Sequence, residues 1–587
     1  MSKLSTISTR LSICEVIKLA LFITLTYSSH SFSAHSSRTS PQHQEIALIN
    51  AKIYRSENNF AEALLIRGSK VVEIGQDNEI LSKISDHTKI VNLKGKTVIP
   101  GLIDSHIHAV RAGLSFEKEV NWIGVKKLST ALELIKEKAL TSPKNQWIVV
   151  AGGWTETQFE EQRVPTQEEL DQVALGHPVY IQHFYDSLLL STKGVKMLVQ
   201  NNKIRSSKLS SLELLSRLSS SSERSNERSS ERSIEQQGWL FGNSRNISDV
   251  YDLLPQPSKA QSLRGTLNFF TELNRYGVTG VLDPGGYNLP FSSYESTRAL
   301  AENNKLTLKI RYSVCAPRKN HELNDLKELT QAIRNKNNPD YFKVNGIGEN
   351  VTWNMYNNEQ PTPEDKQQLK QTLIWAAQEA IPVTLHWNNN ASVYHLLDVL
   401  EGVNVVRPIT KLRWTIAHLS DASEATLTRM NTLGVGWLIQ DNLYYLGEKF
   451  ILSKRVDPQT AIPKIQTALR LGIKVASGTD AHRVNSYNPF VALQWFLDGK
   501  TAAGLQMGQQ IERPSREQAL LMYTQNSAWF SFEESTRGVI EKGYSADLAV
   551  LDKDYFTIPT EQVSTIKSLL TIVNGTIVYS AEPKYQQ

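Results

Sequence analysis

The sequence predicts an α/β protein built on a (β/α)8 barrel of the TIM type, with a large insertion after the first barrel strand and a small β-sandwich module made from both ends of the chain. Three observations predict it. Eight apolar, strand-like runs alternate with helical stretches between residues 103 and 480. Alternating apolar segments flank that region on both sides. The chain between the first two runs is also much longer than one strand-to-strand connection requires.

Composition narrows the class before any motif is read. The 587 residues are 40% hydrophobic and 21% charged, with a mean hydropathy of −0.33. This excludes a polytopic membrane protein and wholesale disorder. The formal charge is +5, and Lys3, Arg10 and Lys18 against Glu15 place +2 of it in the first 33 residues. The remaining excess is too small for a nucleic-acid footprint, so the expected partner is a small-molecule substrate. Oligomeric state is not legible.

Residues 1–33 read as a signal peptide. Basic residues precede the apolar run Leu19-Ala20-Leu21-Phe22-Ile23-Thr24-Leu25-Thr26-Tyr27, far shorter than the ~20 residues that span a bilayer, and Ser31 and Ser33 permit cleavage before Ala34. The expected address is periplasmic or secreted, with no stable membrane insertion after cleavage. Of Cys14 and Cys315 only the second would remain, so no internal disulfide is expected.

The β-sandwich module is expected from residues 45–99 and 538–580, where short apolar runs such as Ala63-Leu64-Leu65-Ile66 and Ala546-Asp547-Leu548-Ala549-Val550-Leu551 need partners to bury one face. The barrel is expected within 100–537. Its runs end near Ile103 to His108, Val278 to Asp283, Leu308 to Val314, Tyr341 to Val344, Ile381 to His386, Arg413 to His418, Val435 to Gln440 and Ile473 to Asp480. The insertion occupies 109–277. Inside it, residues 206–235 contain thirteen serines and a repeated Glu-Arg-Ser, a composition that builds no core and reads as an exposed segment.

The sharpest motif is Pro100-Gly101-Leu102-Ile103-Asp104-Ser105-His106-Ile107-His108. At a strand's period of two, His106 and His108 point to one side and can meet one metal ion. After an N-terminal sheet module, this motif resembles the first barrel strand of the amidohydrolase superfamily, whose metal ligands sit at the carboxyl ends of strands one, four, five, six and eight. Carried over, the resemblance implies metal ligation by His106, His108, Lys343, His386, His418 and Asp480. Gly152-Gly153-Trp154, Arg163-Val164-Pro165-Thr166 and Glu169-Leu170-Asp171 are similar in order to amidohydrolase family 3, the YtcJ-like proteins. Three departures stand out: Ile347-Gly348 replaces the Asp-Gly after strand four, His386-Trp387-Asn388-Asn389-Asn390 replaces His-x-x-Gly-Asp, and Ala417 replaces the Glu before His418.

The resemblance further implies that Lys343 is carbamylated and bridges two divalent ions, zinc by donor type. A buried ammonium beside two cations would be severely penalised, whereas a carbamate adds a negative charge. A site with one ion would dispense with Lys343. The implied reaction is hydrolysis of a non-peptide C–N bond (an amide, N-acyl or cyclic amide) by a metal-activated hydroxide, with Asp480 as general base and then acid. Two alternatives use the same frame: a deaminase of an aminated heterocycle, and a non-catalytic binding or regulatory protein. Trp122, Trp154, Trp353, Tyr356, Trp387, Tyr444 and Tyr445 are candidates for an aromatic mouth, Arg111 and Lys118 for a carboxylate contact, and His482 and Arg483 for the pocket.

Overall fold

Eight parallel strands form the centre of the computed structural model: β1 (Leu102–Asp104), β2 (Val278–Asp283), β3 (Lys309–Val314), β4 (Phe342–Ile347), β5 (Thr384–Trp387), β6 (Thr415–His418), β7 (Gly436–Ile439) and β8 (Val475–Ser477). The structure describes residues 45–200, 239–286, 289–334, 338, 340–460 and 463–583. The export segment expected at 1–33 and the serine-rich segment at 206–235 lie outside the described residues. Among the described residues, no helix is long and apolar enough to cross a membrane.

The strands lie in two four-stranded halves, β1 to β4 and β5 to β8, each in chain order. A parallel bridge between Ile347 and Val383 joins β4 to the approach of β5. On the other side, Ser105 N donates to Ser477 O at 3.1 Å, closing β8 against β1. Gly478 is required at this seam, because a Cβ there would lie 2.2 Å from His106 N and 2.6 Å from Asp104 Oδ1. Helices follow the strands and cover the outside, so β2, β3, β6, β7 and β8 are buried throughout, charged Lys309 and Arg311 of β3 included. The lumen is filled by Ile103, Leu282, Ala417, Leu438 and Ala476 above Phe530.

A separate eight-stranded sheet takes five strands from residues 45–100 and three from 548–580. The two ends of the chain meet where Leu548, Ala549 and Val550 pair antiparallel with Pro100, Ile99 and Val98. Strand 89–100 runs directly into β1, so this sheet sets where the first barrel strand starts. Buried charges tie it to the amino-terminal end of the barrel. Lys309 Nζ lies 2.8 Å from Asp547 Oδ2, and Glu533 meets Arg311 at 2.5 Å and Arg537 at 3.3 Å.

Residues between β1 and β2 build a five-stranded sheet in the order 239–241, 187–190, 179–183, 148–150, 119–120. Its core holds Trp122, Trp154, Phe159 and Trp239. The expectation of Trp122 and Trp154 at an aromatic mouth is therefore corrected. Both are fully buried, edge to face at 4.9 Å, because large rings supply most of the apolar area available to so small a sheet.

Two stability results follow from the buried charges. Asp547→Ala leaves Lys309 buried without its partner and should cost about 3–5 kcal/mol in urea unfolding. For Glu533, burial raises the carboxyl pKa, but Arg537 and Arg311 outweigh it and bring it from 4.5 to about 2. Its contribution is complete above pH 4.5 and lost as pH falls through 2. Glu533→Gln should lower the urea midpoint at neutral pH and flatten its acid dependence in that window.

Candidate active site

The carboxyl ends of β1, β4, β5, β6 and β8 bring together four imidazoles and two carboxylates. The strand period of two places His106 and His108 on one side after β1, as their spacing predicts. His386 lies within β5, His418 ends β6, and Asp480 follows β8. The sixth group is Glu349, two residues past β4, which the sequence reading missed.

Glu349 lies between two histidine pairs. Its Oε2 is 2.8 Å from His386 Nδ1, 3.3 Å from His418 Nε2 and 3.5 Å from His106 Nε2, while Oε1 is 3.5 Å from His108 Nε2. Asp480 closes the other side, with Oδ1 3.2 Å from His108 Nε2 and 3.6 Å from His106 Nε2, and Oδ2 3.9 Å from His418 Nδ1. Three overlapping sets of donor atoms lie within 4.8 Å of one another: His106, His418 and Asp480; His106, His108 and Glu349; Glu349, His386 and His418.

Lys343 does not join them. It is the second residue of β4 and is exposed, paired in register with Arg311 at the amino-terminal end of the barrel. The strand continues to Ile347, three residues past the Val344 expected to end the fourth run. Lys343 and Glu349 are six residues apart, roughly 20 Å at the ~3.3 Å rise of a strand. The assignment of Lys343 as a carbamylated bridging ligand is therefore corrected. A glutamate carries the same single negative charge between the histidine pairs with no modification. The missed signal was the continuation of β4 through Gly346 and Ile347 to an acidic residue beyond its end.

Local structure aims each group. His108 shares a 2.8 Å hydrogen bond from Nδ1 to the Gly285 carbonyl, which leaves Nε2 facing the carboxylates. His418 and Asp480 both have left-handed backbone, with φ of 69° and 54°. This is uncommon for a histidine, while aspartate tolerates it. Trp437 Nε1 donates to His418 O at 2.9 Å, and Asp480 N donates to His106 O at 2.7 Å. Asp104 is not a ligand candidate. Its carboxylate accepts from Thr479 Oγ1 at 2.7 Å and from His106 N at 3.1 Å, tying the ends of β1 and β8 together. The Cys315 thiol donates to Gly348 O at 2.8 Å, just before Glu349. Tyr356, from the loop after β4, stacks on His386 at 4.1 Å. Trp387 and Tyr445 are buried instead, and His482 and Arg483 turn away to Glu119.

The electrostatics suit a cation. Burial brings the pKa of His106 from 6.5 to about 3, so it is neutral at physiological pH, as a ligand must be. Both its ring nitrogens are buried without a hydrogen-bond partner, and a bound ion would satisfy Nε2, the one that faces Glu349 and Asp480 at 3.5 and 3.6 Å. Burial raises the Glu349 carboxyl, but His386 and His418 outweigh it and hold it well below the usual range. Asp480 is likewise lowered, its burial outweighed by the hydrogen bond from His108 and the charge of His418.

With this geometry in place, the comparisons are decisive for the class. Residues 89–579 match the amidohydrolase family, and the chain belongs to it. N-substituted formamide deformylase of Arthrobacter pascens is 22% identical over 92% of this chain and 99% of its own length. YtcJ of Bacillus subtilis (strain 168) is 21% identical over 89% and 97%. In fold, the chain matches an uncharacterized metal-dependent hydrolase of Pyrococcus horikoshii with a TM-score of 0.59 at 17% identity, covering 88% of this chain and 99% of that one.

Glu349→Gln should weaken zinc binding by 100-fold or more, since one anionic donor is lost between two histidine pairs, while Lys343→Met should leave it within two-fold. Zinc loading of the stripped protein should also be indifferent to added bicarbonate, which a carbamylated lysine would require. Chelator competition measures all three.

Proposed function

We propose that this chain is a metal-dependent hydrolase of a non-peptide C–N bond in a small molecule, with the reacting group an amide, N-acyl or cyclic amide. The observation that carries the reading is the buried convergence of His106, His108, Glu349, His386, His418 and Asp480 at one end of the barrel. Membership of the amidohydrolase family supports it, as does similarity along nearly its whole length to a deformylase of N-substituted formamides. The site belongs to a barrel domain of residues 100–537, beside a β-sandwich module of 45–99 and 538–580. We also propose that the chain is exported, on the signal-peptide pattern of residues 1–33.

The six side chains would hold one or two divalent ions, zinc by the nitrogen and oxygen donor type. When bound, such an ion lowers the pKa of a water toward 7 and polarises a carbonyl oxygen. The rest is work for the protein. Glu349 and the four imidazoles hold the charge in place, and of the two carboxylates Glu349 lies deeper, its side chain 5% exposed against 15% for Asp480. Asp480 is therefore the carboxylate able to reach substrate. It takes the proton of the attacking water and returns it to the leaving nitrogen, so that an amine departs in place of an amide anion. Tyr356 offers a ring face beside His386 for a planar or apolar substituent.

Turnover of N-substituted formamides and N-acyl amines by the zinc-loaded protein tests the reading, with amine release as the signal. Asp480→Asn should lower kcat by about 10²–10⁴-fold, the usual range for loss of a general acid–base. A zinc-loaded wild-type protein inert on every C–N substrate class would refute the assignment.

A further inference from the structure

The five-stranded insert grips the loop that carries Asp480. Glu119, in the insert's edge strand, is buried with Oε2 2.6 Å from His482 Nε2 and Oε1 3.4 Å from Arg483 Nη2. Tyr251 donates its hydroxyl to the same Oε1 at 3.4 Å and places its ring 4.1 Å under the Arg483 guanidinium. Arg483 Nη1 in turn donates to Ala151 O at 3.1 Å, and Gly153 N donates to Arg483 O at 3.1 Å. Here the two backbones touch. A Cβ on Gly152 would lie 2.3 Å from Arg483 O and one on Gly153 2.7 Å from His482 O, and both glycines have positive φ, 111° and 72°. The gripped residues begin two positions after Asp480, whose backbone is left-handed with φ of 54°.

We propose that Glu119 is a positioning residue for the metal site: through His482 and Arg483 it locks the loop after β8, and so the aim of Asp480, from an element outside the barrel. This rests on the metal-site reading above and assigns the insert a mechanical part in it. Partners behind a ligand typically change metal affinity or activity 10–100-fold when removed, whereas a buried ion pair that only braces the fold changes stability alone.

The test uses zinc alone as probe, on the metal-stripped full chain, by chelator competition together with the Tm of the zinc-free form. Glu119→Gln, and the charge-balanced pair Glu119→Gln with Arg483→Gln in case the single variant fails to fold, should weaken zinc binding 10–100-fold. The control is Asp547→Ala at the opposite end of the barrel, which should lower Tm and leave zinc affinity within two-fold. Zinc affinity unchanged in the folded Glu119 variants, or weakened equally in the control, overturns the proposal. Absence of zinc binding by the wild-type chain overturns the metal-site reading itself, which separates the two failures.

Discussion

Six ionisable side chains packed into one end of a barrel, away from water, are the constraint from which the rest of this structure follows. A buried imidazole or carboxylate without compensation costs several kcal/mol. Glu349 and Asp480 compensate His108, His386 and His418 directly, but His106 Nε2 faces both carboxylates at 3.5 and 3.6 Å without a hydrogen bond. That unsatisfied nitrogen among two carboxylates and three further imidazoles suits a cation.

Holding those groups together uses every level of the fold. The β1–β8 seam brings His106 and Asp480 into register, and Asp104, Thr479 and Gly478 make that seam close enough. The sheet built from both ends of the chain fixes the start of β1 through the pairing of Leu548 with Pro100. At the opposite end of the barrel, Lys309, Arg311, Glu533, Arg537 and Asp547 form a largely buried network of ion pairs, which ties sheet to barrel without approaching the site. The two charged regions are thus separated along the strands: one secures the fold, and the other is left to chemistry.

Much of this was legible from residue patterns. Eight apolar runs located all eight barrel strands, and the strand period put His106 and His108 on one side, while His386, His418 and Asp480 came from the resemblance to the amidohydrolase superfamily laid onto the ends of those runs. Lys343 failed for a definite reason. The superfamily resemblance puts a lysine at the end of strand four and the run reads as ending at Val344, but the real β4 runs on to Ile347 by pairing with β3 through an irregular register and delivers Glu349. The aromatic residues failed differently, since nothing in a sequence distinguishes a tryptophan at a pocket mouth from one at the centre of an inserted sheet.

The sequence by itself determined the fold class, the order of its elements and the pairing of His106 with His108, because periodicity is a local property, and its resemblance to the amidohydrolase superfamily added His386, His418 and Asp480. Only the tertiary structure decided that the sixth is Glu349, which faces Glu119 and Trp154 sit on, and that the insert closes on the Asp480 loop. These depend on which strand ends share the barrel mouth and which backbones touch across long sequence separations, and no local pattern encodes that.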